Sequence, residues 1–357
     1  MCAWKYKQIM PQLVVKKQKL IKPKKMTSLI GASLLHIVSD LEKTPYRTEI
    51  HELDTQTLTS LTLEEALLRN FIKICEEIMQ LSPRDISFLL KAYLMKFEAN
   101  CIKTMFRAKE ADLSVEEALS YIIPVGRMTA NRCAGILENC YNIGDIIDVL
   151  SDMEFGAVLE KAFDLYLKEK NFYLLEVALD HYVYNILWRA TGRFWGLDRK
   201  IARTIIGLEI DSINIKTVLR CKAMGISGHQ IIQYLLPVSA VLGKEALEAA
   251  INGTDMESSI ESLVESAKLA GSRDYKYVFS KIQESQVASL TEVETILDRG
   301  LLETCLRMGK RYTSFFNIGL LLSFLNLKWF EVKNLRVIIR GSEAKIASER
   351  VKKLLIL

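Results

Sequence analysis

The sequence contains no Cys-x-x-Cys pair, and no histidine has a second histidine or a cysteine at a zinc-ligand spacing. Its seven cysteines, Cys2, Cys75, Cys101, Cys133, Cys140, Cys221 and Cys305, are odd in number and dispersed, which does not suggest a disulfide framework and fits a reducing compartment. The four histidines (His36, His51, His181, His229) stand alone, so no metal centre is expected. The longest uncharged run, YTSFFNIGLLLSFLNL at 312–327, has 16 residues and holds Asn317 and Asn326. A membrane span needs about 18 apolar residues, so this run reads as a buried core helix. No phosphate-cradling loop is present, because Gly243-Lys244 has Val238 where the partner glycine would stand. Nucleophile elbows, His-Glu-x-x-His and the dinucleotide fingerprint are missing too. The N-terminus lacks the apolar core and small-residue site of a secretory signal. No catalytic constellation, cofactor or small-molecule ligand is expected, and the chain reads as no enzyme by itself.

Proline (six) and glycine (seventeen) are scarce in 357 residues, while Leu, Ile, Ala, Glu and Lys are plentiful. Those residues lose little entropy in a helix, which predicts an all-α fold. With half its residues hydrophobic, the chain can bury two or three cores. The formal charge of +5 is unevenly spread. Residues 1–25 hold eight lysines and no acid, leaving 40 basic against 43 acidic residues elsewhere. Such an arm can meet nucleic acid, anionic lipid or an acidic protein face. No helix-turn-helix, zinc finger or aromatic-rich RNA motif accompanies it, so nucleic acid is not the expected partner. The residues alone favour a solvated basic tail over 1–28, and Met26 offers an alternative start that would remove it.

What the sequence does have is internal repetition. IKTMFRAKEADLSVEEALSYIIPV at 102–125 and IKTVLRCKAMGISGHQIIQYLLPV at 215–238 share nine of 24 positions without a gap, at an offset of 113. Chance would give about one or two. Each segment carries a cap (Ser114/Glu117, Ser227/Gln230), a 3.6-period apolar stripe and a terminating proline, Pro124 or Pro237. A further offset of 116 sets EVKNLRVIIRG at 331–341 beside the second segment, pairing Leu335 with Leu219, Arg336 with Arg220 and Gly341 with Gly225. The combined offset of 229 aligns Ser60-Leu-Thr62 with Ser289-Leu-Thr291, predicted capping boxes with Glu65 and Glu294, and Tyr46 with Tyr275. LEEAL (63–67), LEVAL (175–179) and VETIL (293–297) correspond with a drift of a residue or a few. Three tandem helical-bundle domains are therefore expected, at 29–143, 144–260 and 261–357, each with four or five helices of about 10–20 residues. Ser82-Pro83-Arg84-Asp85 predicts a further helix start with Ser82 as N-cap.

The repeated Arg107, Arg220 and Arg336, with Lys103 and Lys216 one turn earlier, admit two readings. They form partner contacts, or they pair with carboxylates inside their own copies, such as Glu98, Asp211 or Glu331. The second is favoured, because copying alone explains repetition and buried charges need local partners. Tyr121 and Tyr234 read as amphipathic core residues first and interface residues second.

DSINIKTVLRCKAMGIS at 211–227 with IIQYLLPV, LDHYVYNIL at 179–187 and KWFEVKNLRVIIRGSEAKI at 328–346 resemble the C subunit of the archaeal A-type rotary ATP synthase, counterpart of the d subunit in the vacuolar proton pump. The pattern Asp211, Asn214, Ile215, Lys216, Arg220 carries most of the likeness, together with 331–341. The resemblance implies a pseudo-threefold funnel of helical domains on the cytoplasmic mouth of the membrane proteolipid ring, holding the tip of the D/F shaft. It implies a peripheral adaptor coupling ATP turnover to proton or sodium movement. Lys16, Lys17, Lys19, Lys22, Lys24 and Lys25 then become candidate lipid-rim contacts. The opening departs from the family, whose members often begin with a tyrosine- and arginine-containing helix, whereas the first arginine here is Arg47. The alternative is a helical interaction scaffold whose basic arm binds nucleic acid or acidic partners.

Overall fold

A computed structural model describes residues 6–269, 273–284, 289–311 and 317–357. Among the described residues the regular structure is helical, and the one β-type pairing is an isolated bridge between Val125 and Met128. The all-α expectation holds. Contacts divide the chain into two compact units: the chain up to Val183 with Leu327–Leu355 and Leu357, and Tyr184–Asn326 with Ile356.

The first unit opens with α1 (Ile9–Gln18) and α2 (Pro23–Ser28). Tyr6, Ile9, Met10 and Leu13 follow an i, i+3, i+4, i+7 stripe and are buried, as are Met26 and Leu29. The arm is thus a docked pair of helices and no solvated tail; eight lysines had masked a short apolar period. Lys16 and Lys17 sit in the last turn of α1, where cations offset the helix dipole, and Pro23 opens α2 at its first turn. Lys16 Nζ donates to Glu77 at 2.7 Å, and the Ile21 amide donates to Glu331 Oε2 at 2.5 Å.

Then follow α3 (Leu34–Leu41), α4 (Arg47–His51), α5 (Ser60–Gln80), α6 (Arg84–Glu110), α7 (Val115–Ser120), α8 (Ala130–Asn139), α9 (Ile143–Val149), α10 (Gly156–Glu169) and the start of α11 (Tyr173–Thr191). Helices α5 and α6 pack as a hairpin. At its core Phe71, Phe97 and Trp329 stand with ring centroids 5.4–5.6 Å apart. Thr59, not Thr62, is the N-cap of α5: it exchanges side-chain and backbone bonds with Thr62, because Thr59 is the residue that leaves helical dihedrals. Ser82 is likewise no N-cap. Its hydroxyl donates back to the Ile78 carbonyl at 2.6 Å, closing α5, and Pro83 precedes the first residue of α6.

The second unit holds the end of α11, then α12 (Gly196–Ala223), α13 (Gly228–Tyr234), α14 (Lys244–Asn252), α15 (Met256–Leu269), α16 (Arg273–Glu284), α17 (Leu290–Arg311) and the start of α18 (Ile318–Glu343); α19 (Ser348–Leu354) belongs to the first unit. Helix α12 packs on α17 and α14. Ser289 caps α17 by accepting from the Glu292 amide at 3.3 Å, so Thr291 falls inside the first turn. Ser114 and Ser227 do cap α7 and α13, accepting from the amides of Glu117 and Gln230 at 3.2 and 3.4 Å. The expected core helix is buried through Ile318, Leu321, Leu322, Phe324 and Leu325. Residues 312–316 of that run, Cys2 and the side chain of Tyr275 lie outside the described residues. The other six cysteines are buried free thiols.

Helices α6, α12 and α18 have 27, 28 and 26 residues, longer than expected, because the repeated segments begin midway along a helix. Helix α12 ends at Ala223, and the turn after it passes through Gly225, whose φ of +72° a side chain rarely adopts, so that Ile226 N–H returns to the Cys221 carbonyl at 2.9 Å. The corresponding Gly341 ends nothing. Helix α18 runs one turn further, to Glu343, and its left-handed residue is Lys345.

Candidate functional site: three arginine–glutamate clasps

The arginines picked out by repetition all engage a glutamate, and none pairs with the acid expected from its own copy. In the first unit Arg107, in the last turn of α6, donates Nε to Glu176 Oε1 at 2.5 Å and Nη2 to Oε2 at 2.7 Å. Also in that unit, Arg336 Nε on α18 donates to Glu64 Oε2 at 2.8 Å. In the second unit Arg220, in the last turn of α12, donates to both oxygens of Glu294 at 2.5 and 2.9 Å. The acceptors Glu64, Glu176 and Glu294 are the glutamates of LEEAL, LEVAL and VETIL. A planar guanidinium fork matches a carboxylate, which makes such bonds short and directional. The hydrogen bonds to Glu176 and Glu294 hold the Arg107 and Arg220 guanidinium groups above their ordinary range.

One turn earlier, Lys103 Nζ donates to Asp180 Oδ1 and Lys216 Nζ to Asp298 Oδ1, each at 2.6 Å. The third set differs. Val332 and Leu68, both buried, stand where the lysine and aspartate would be. Glu64 instead takes a second guanidinium: Arg340, on the extra turn of α18, reaches Oε1 through Nε and Oε2 through Nη2 at 2.9 Å. The Glu64 side chain is 4% exposed, and such a carboxylate demands this pairing.

The acids expected as local partners serve the backbone instead. Glu98 accepts from the Arg127 amide at 2.9 Å, and burial raises its pKa. The close approach requires Gly126, φ +53°, where a Cβ would lie 2.0 Å from Glu98 Oε1. At the corresponding place Asp211, fully buried, accepts from the amides of Ala240 and Val241 at 3.0 and 2.9 Å. Asn214 accepts from the Leu236 amide at 2.8 Å, and Cys101 Sγ donates to the Ile123 carbonyl at 2.8 Å. A helix thus pins the chain that follows its neighbouring short helix, because amides in such a turn have no helical partner.

Glu331 joins a buried cluster. It takes Lys328 Nζ at 2.8 Å and the Tyr46 hydroxyl at 2.8 Å, while Lys328 lies 3.6 Å from the Tyr46 ring centroid. Burial lowers the Lys328 pKa and raises that of Tyr46 well above its usual range. With the Ile21 amide on its other oxygen, Glu331 ties the N-terminal helices to α18.

Neither repeated tyrosine is a core residue. Tyr121 is 52% exposed beside a cleft of about 150 Å³ shared with Phe97 and Trp329, and Tyr234 is half-buried, because each ends a short helix lying on the surface. Of the arm lysines, Lys16 is half-buried against Glu77 and Lys25 pairs with Asp40 at 2.5 Å, while Lys19, Lys22 and Lys24 are exposed and Lys17 is half-buried. Among the described residues no cluster of His, Cys, Asp and Glu can hold a metal, and no helix is long and apolar enough to cross a membrane. The clasp partners were hidden from the sequence by separations of 69, 74 and 272 residues. The signal that held them was the glutamate shared by LEEAL, LEVAL and VETIL.

Comparison with known proteins gives a match to the family described as ATP synthase (C/AC39) subunit over residues 10–354. Among curated relatives, the A-type ATP synthase C subunit of Methanocaldococcus jannaschii is 27% identical over 344 residues, covering 96% of this chain and 84% of that protein. The A-type ATP synthase C subunits of Methanosarcina acetivorans (26% over 336 residues; 94% and 88% covered) and Methanosarcina mazei (24% over 341; 96% and 90%) are similar over comparable lengths.

Proposed function

The chain belongs to the ATP synthase (C/AC39) subunit family, and on that footing we propose that it is the non-catalytic central-stalk subunit of an A/V-type rotary ATP synthase. It links the D/F shaft to the membrane proteolipid ring and couples ATP synthesis or hydrolysis to proton or sodium movement, lying peripherally on the cytoplasmic face of the membrane. A ring of identical hairpins and one asymmetric shaft cannot share a symmetric interface, so a separate piece must present a broad face to one and a socket to the other. Three tandem copies, 29–143, 144–260 and 261–357, set in a pseudo-threefold funnel, supply such a socket.

One observation carries the mechanical part of this reading. Taken in the order of the copies, the clasps run from first to second (Arg107 to Glu176), second to third (Arg220 to Glu294) and third to first (Arg336 to Glu64). Every copy grips its successor, and the last grips the first. A coupling closed in this way passes torque through packed helices and ionic forks, which resist deformation better than loops. The repeated arginines and lysines are joint residues in this scheme and leave partner contacts to other positions.

The test is reconstitution. Stripped proteolipid ring and D/F shaft are mixed with and without this chain, and their co-migration and ATP-driven ion uptake are measured. Joining and ion coupling that require the chain support the proposal; equal assembly in its absence ends it. The nucleic-acid reading is disfavoured, because the arm buries one face of α1 and commits Lys16 and Lys25 to carboxylates.

A further inference from the structure

The turn between α11 and α12 holds the most exposed tryptophan among the described side chains. Trp195 is 75% exposed and Leu197, two residues on, 41%. A flexible loop could expose them by accident, but this turn is braced from beneath. Arg199 donates Nε to the Phe194 carbonyl at 2.7 Å and Nη2 to the Gly192 carbonyl at 2.5 Å. Phe194 is completely buried on one side of the indole, and Asp198, buried on the other, accepts from the Ile318 amide at 3.0 Å. Gly196 takes φ +55°, a conformation that lets the chain reverse between those two anchors. The fold therefore fixes both flanks of Trp195 and leaves the indole outside.

The exposed charge along this stretch of chain is of one sign. Arg189, Arg193, Lys200 and Arg203 are exposed. Between Trp188 and Arg203 the single acid is Asp198, which is turned inward. The Arg199 guanidinium lies 4.9 Å from the Trp195 ring centroid and that of Arg203 5.4 Å from Trp188, so the cations are arrayed along the aromatic faces.

We propose that this turn docks on an anionic phospholipid surface, with Trp195 and Leu197 entering the headgroup region and Arg189, Arg193, Lys200 and Arg203 meeting the phosphates. An indole has an apolar body and one N–H donor, the combination that partitions to the membrane–water boundary, and an adjacent leucine adds apolar depth. Lysine and arginine beside it gain from the negative surface potential within a Debye length. Single-stranded nucleic acid would call for successive stacking platforms, and here one exposed indole stands next to an aliphatic side chain. The site is distinct from the arm lysines named as lipid contacts from sequence. It also stands apart from the stalk reading, since the purified full-length chain can be tested without ring or shaft.

The experiment is co-sedimentation of that chain with phosphatidylcholine vesicles and with vesicles of phosphatidylcholine mixed with phosphatidylglycerol, alongside tryptophan emission. Expected are binding to the mixed vesicles that weakens as salt rises, little binding to the neutral ones, and a blue shift that Trp195→Phe removes. Trp195→Ala, and separately Arg193→Gln with Lys200→Gln, should each lower affinity, the charge pair by roughly fivefold per cation lost. A control, Lys161→Gln with Lys168→Gln on the exposed face of α10, should bind as the parent does, and circular dichroism should show all variants equally helical. Undiminished binding by Trp195→Ala, equal binding to both vesicle types, loss of binding in the α10 control instead, or binding seen only with the isolated proteolipid ring would each overturn the proposal.

Discussion

Glu64 is the most heavily engaged of the three clasp carboxylates, and replacing it with glutamine isolates the charge while keeping the shape. Its side chain is 4% exposed and takes Arg336 Nε and both Nε and Nη2 of Arg340. Hydrogen bonds to a charged group contribute about 1.5–3 kcal/mol each when desolvated. Arg340 is 61% exposed and Arg336 32%, so the Arg340 bonds are discounted to about 0–1 kcal/mol in total. Glutamine keeps one acceptor oxygen but turns an amide NH2 toward guanidinium donors, taking from Arg336 and Arg340 the carboxylate they are bonded to and leaving Arg340 with Glu343 alone. The net cost is about 2–4 kcal/mol, near the lower end for one-sided removal of a buried pair. Urea denaturation should show it as a lowered midpoint at unchanged slope, and hydrogen exchange should show α5 and the end of α18 opening first. The cycle E64Q with R336Q should couple by about 1–3 kcal/mol, and E64Q with R340Q by less. A midpoint shift worth under about 0.5 kcal/mol, the range of ordinary surface changes, would refute the clasp as a holding element.

Three further outcomes follow from the same geometry. Asp211→Ala strands the amides of Ala240 and Val241 and should cost about 2–4 kcal/mol in denaturant titrations, with exchange protection lost first over the segment after α13. Glu98 has a raised folded-state pKa because burial disfavours its charge, so the unfolded chain releases this proton at lower pH than the folded one does. Its contribution is fully present below about pH 4 and is lost as pH rises through the folded value; Glu98→Gln keeps the Arg127 amide bond and should remove that slope from a stability–pH profile. Val332→Lys should destabilise by about 2–4 kcal/mol by burying a lone ammonium, and adding Leu68→Asp should recover part of it if those positions correspond to the Lys103/Asp180 and Lys216/Asp298 sites.

The sequence made local features legible and left distant ones obscure. Ser114 and Ser227 cap where their spacing placed them, since a cap depends on four consecutive residues. Thr62 and Thr291 did not, because a run such as Thr59-Ser60-Leu61-Thr62 offers several hydroxyls and only the dihedral break chooses among them. Repetition marks the arginines but not their partners, since it says which positions matter and nothing of which elements meet. The lysine-rich opening reads as a solvated tail because its eight lysines outweigh the short Tyr6, Ile9, Met10, Leu13 stripe that docks it. Trp195 had no signal, as an exposed and a buried tryptophan look alike in one sequence.

The odd joint has a consequence of its own. Had three separate identical chains formed this coupling, any change at one seam would have been copied to the others. In the proposed coupling one polypeptide carries the copies in series and is free of that constraint, and Val332, Leu68 and Arg340 depart from the pattern at a single seam. There one seam is therefore chemically distinct from the other two, and the likeness of the three copies stops short of symmetry.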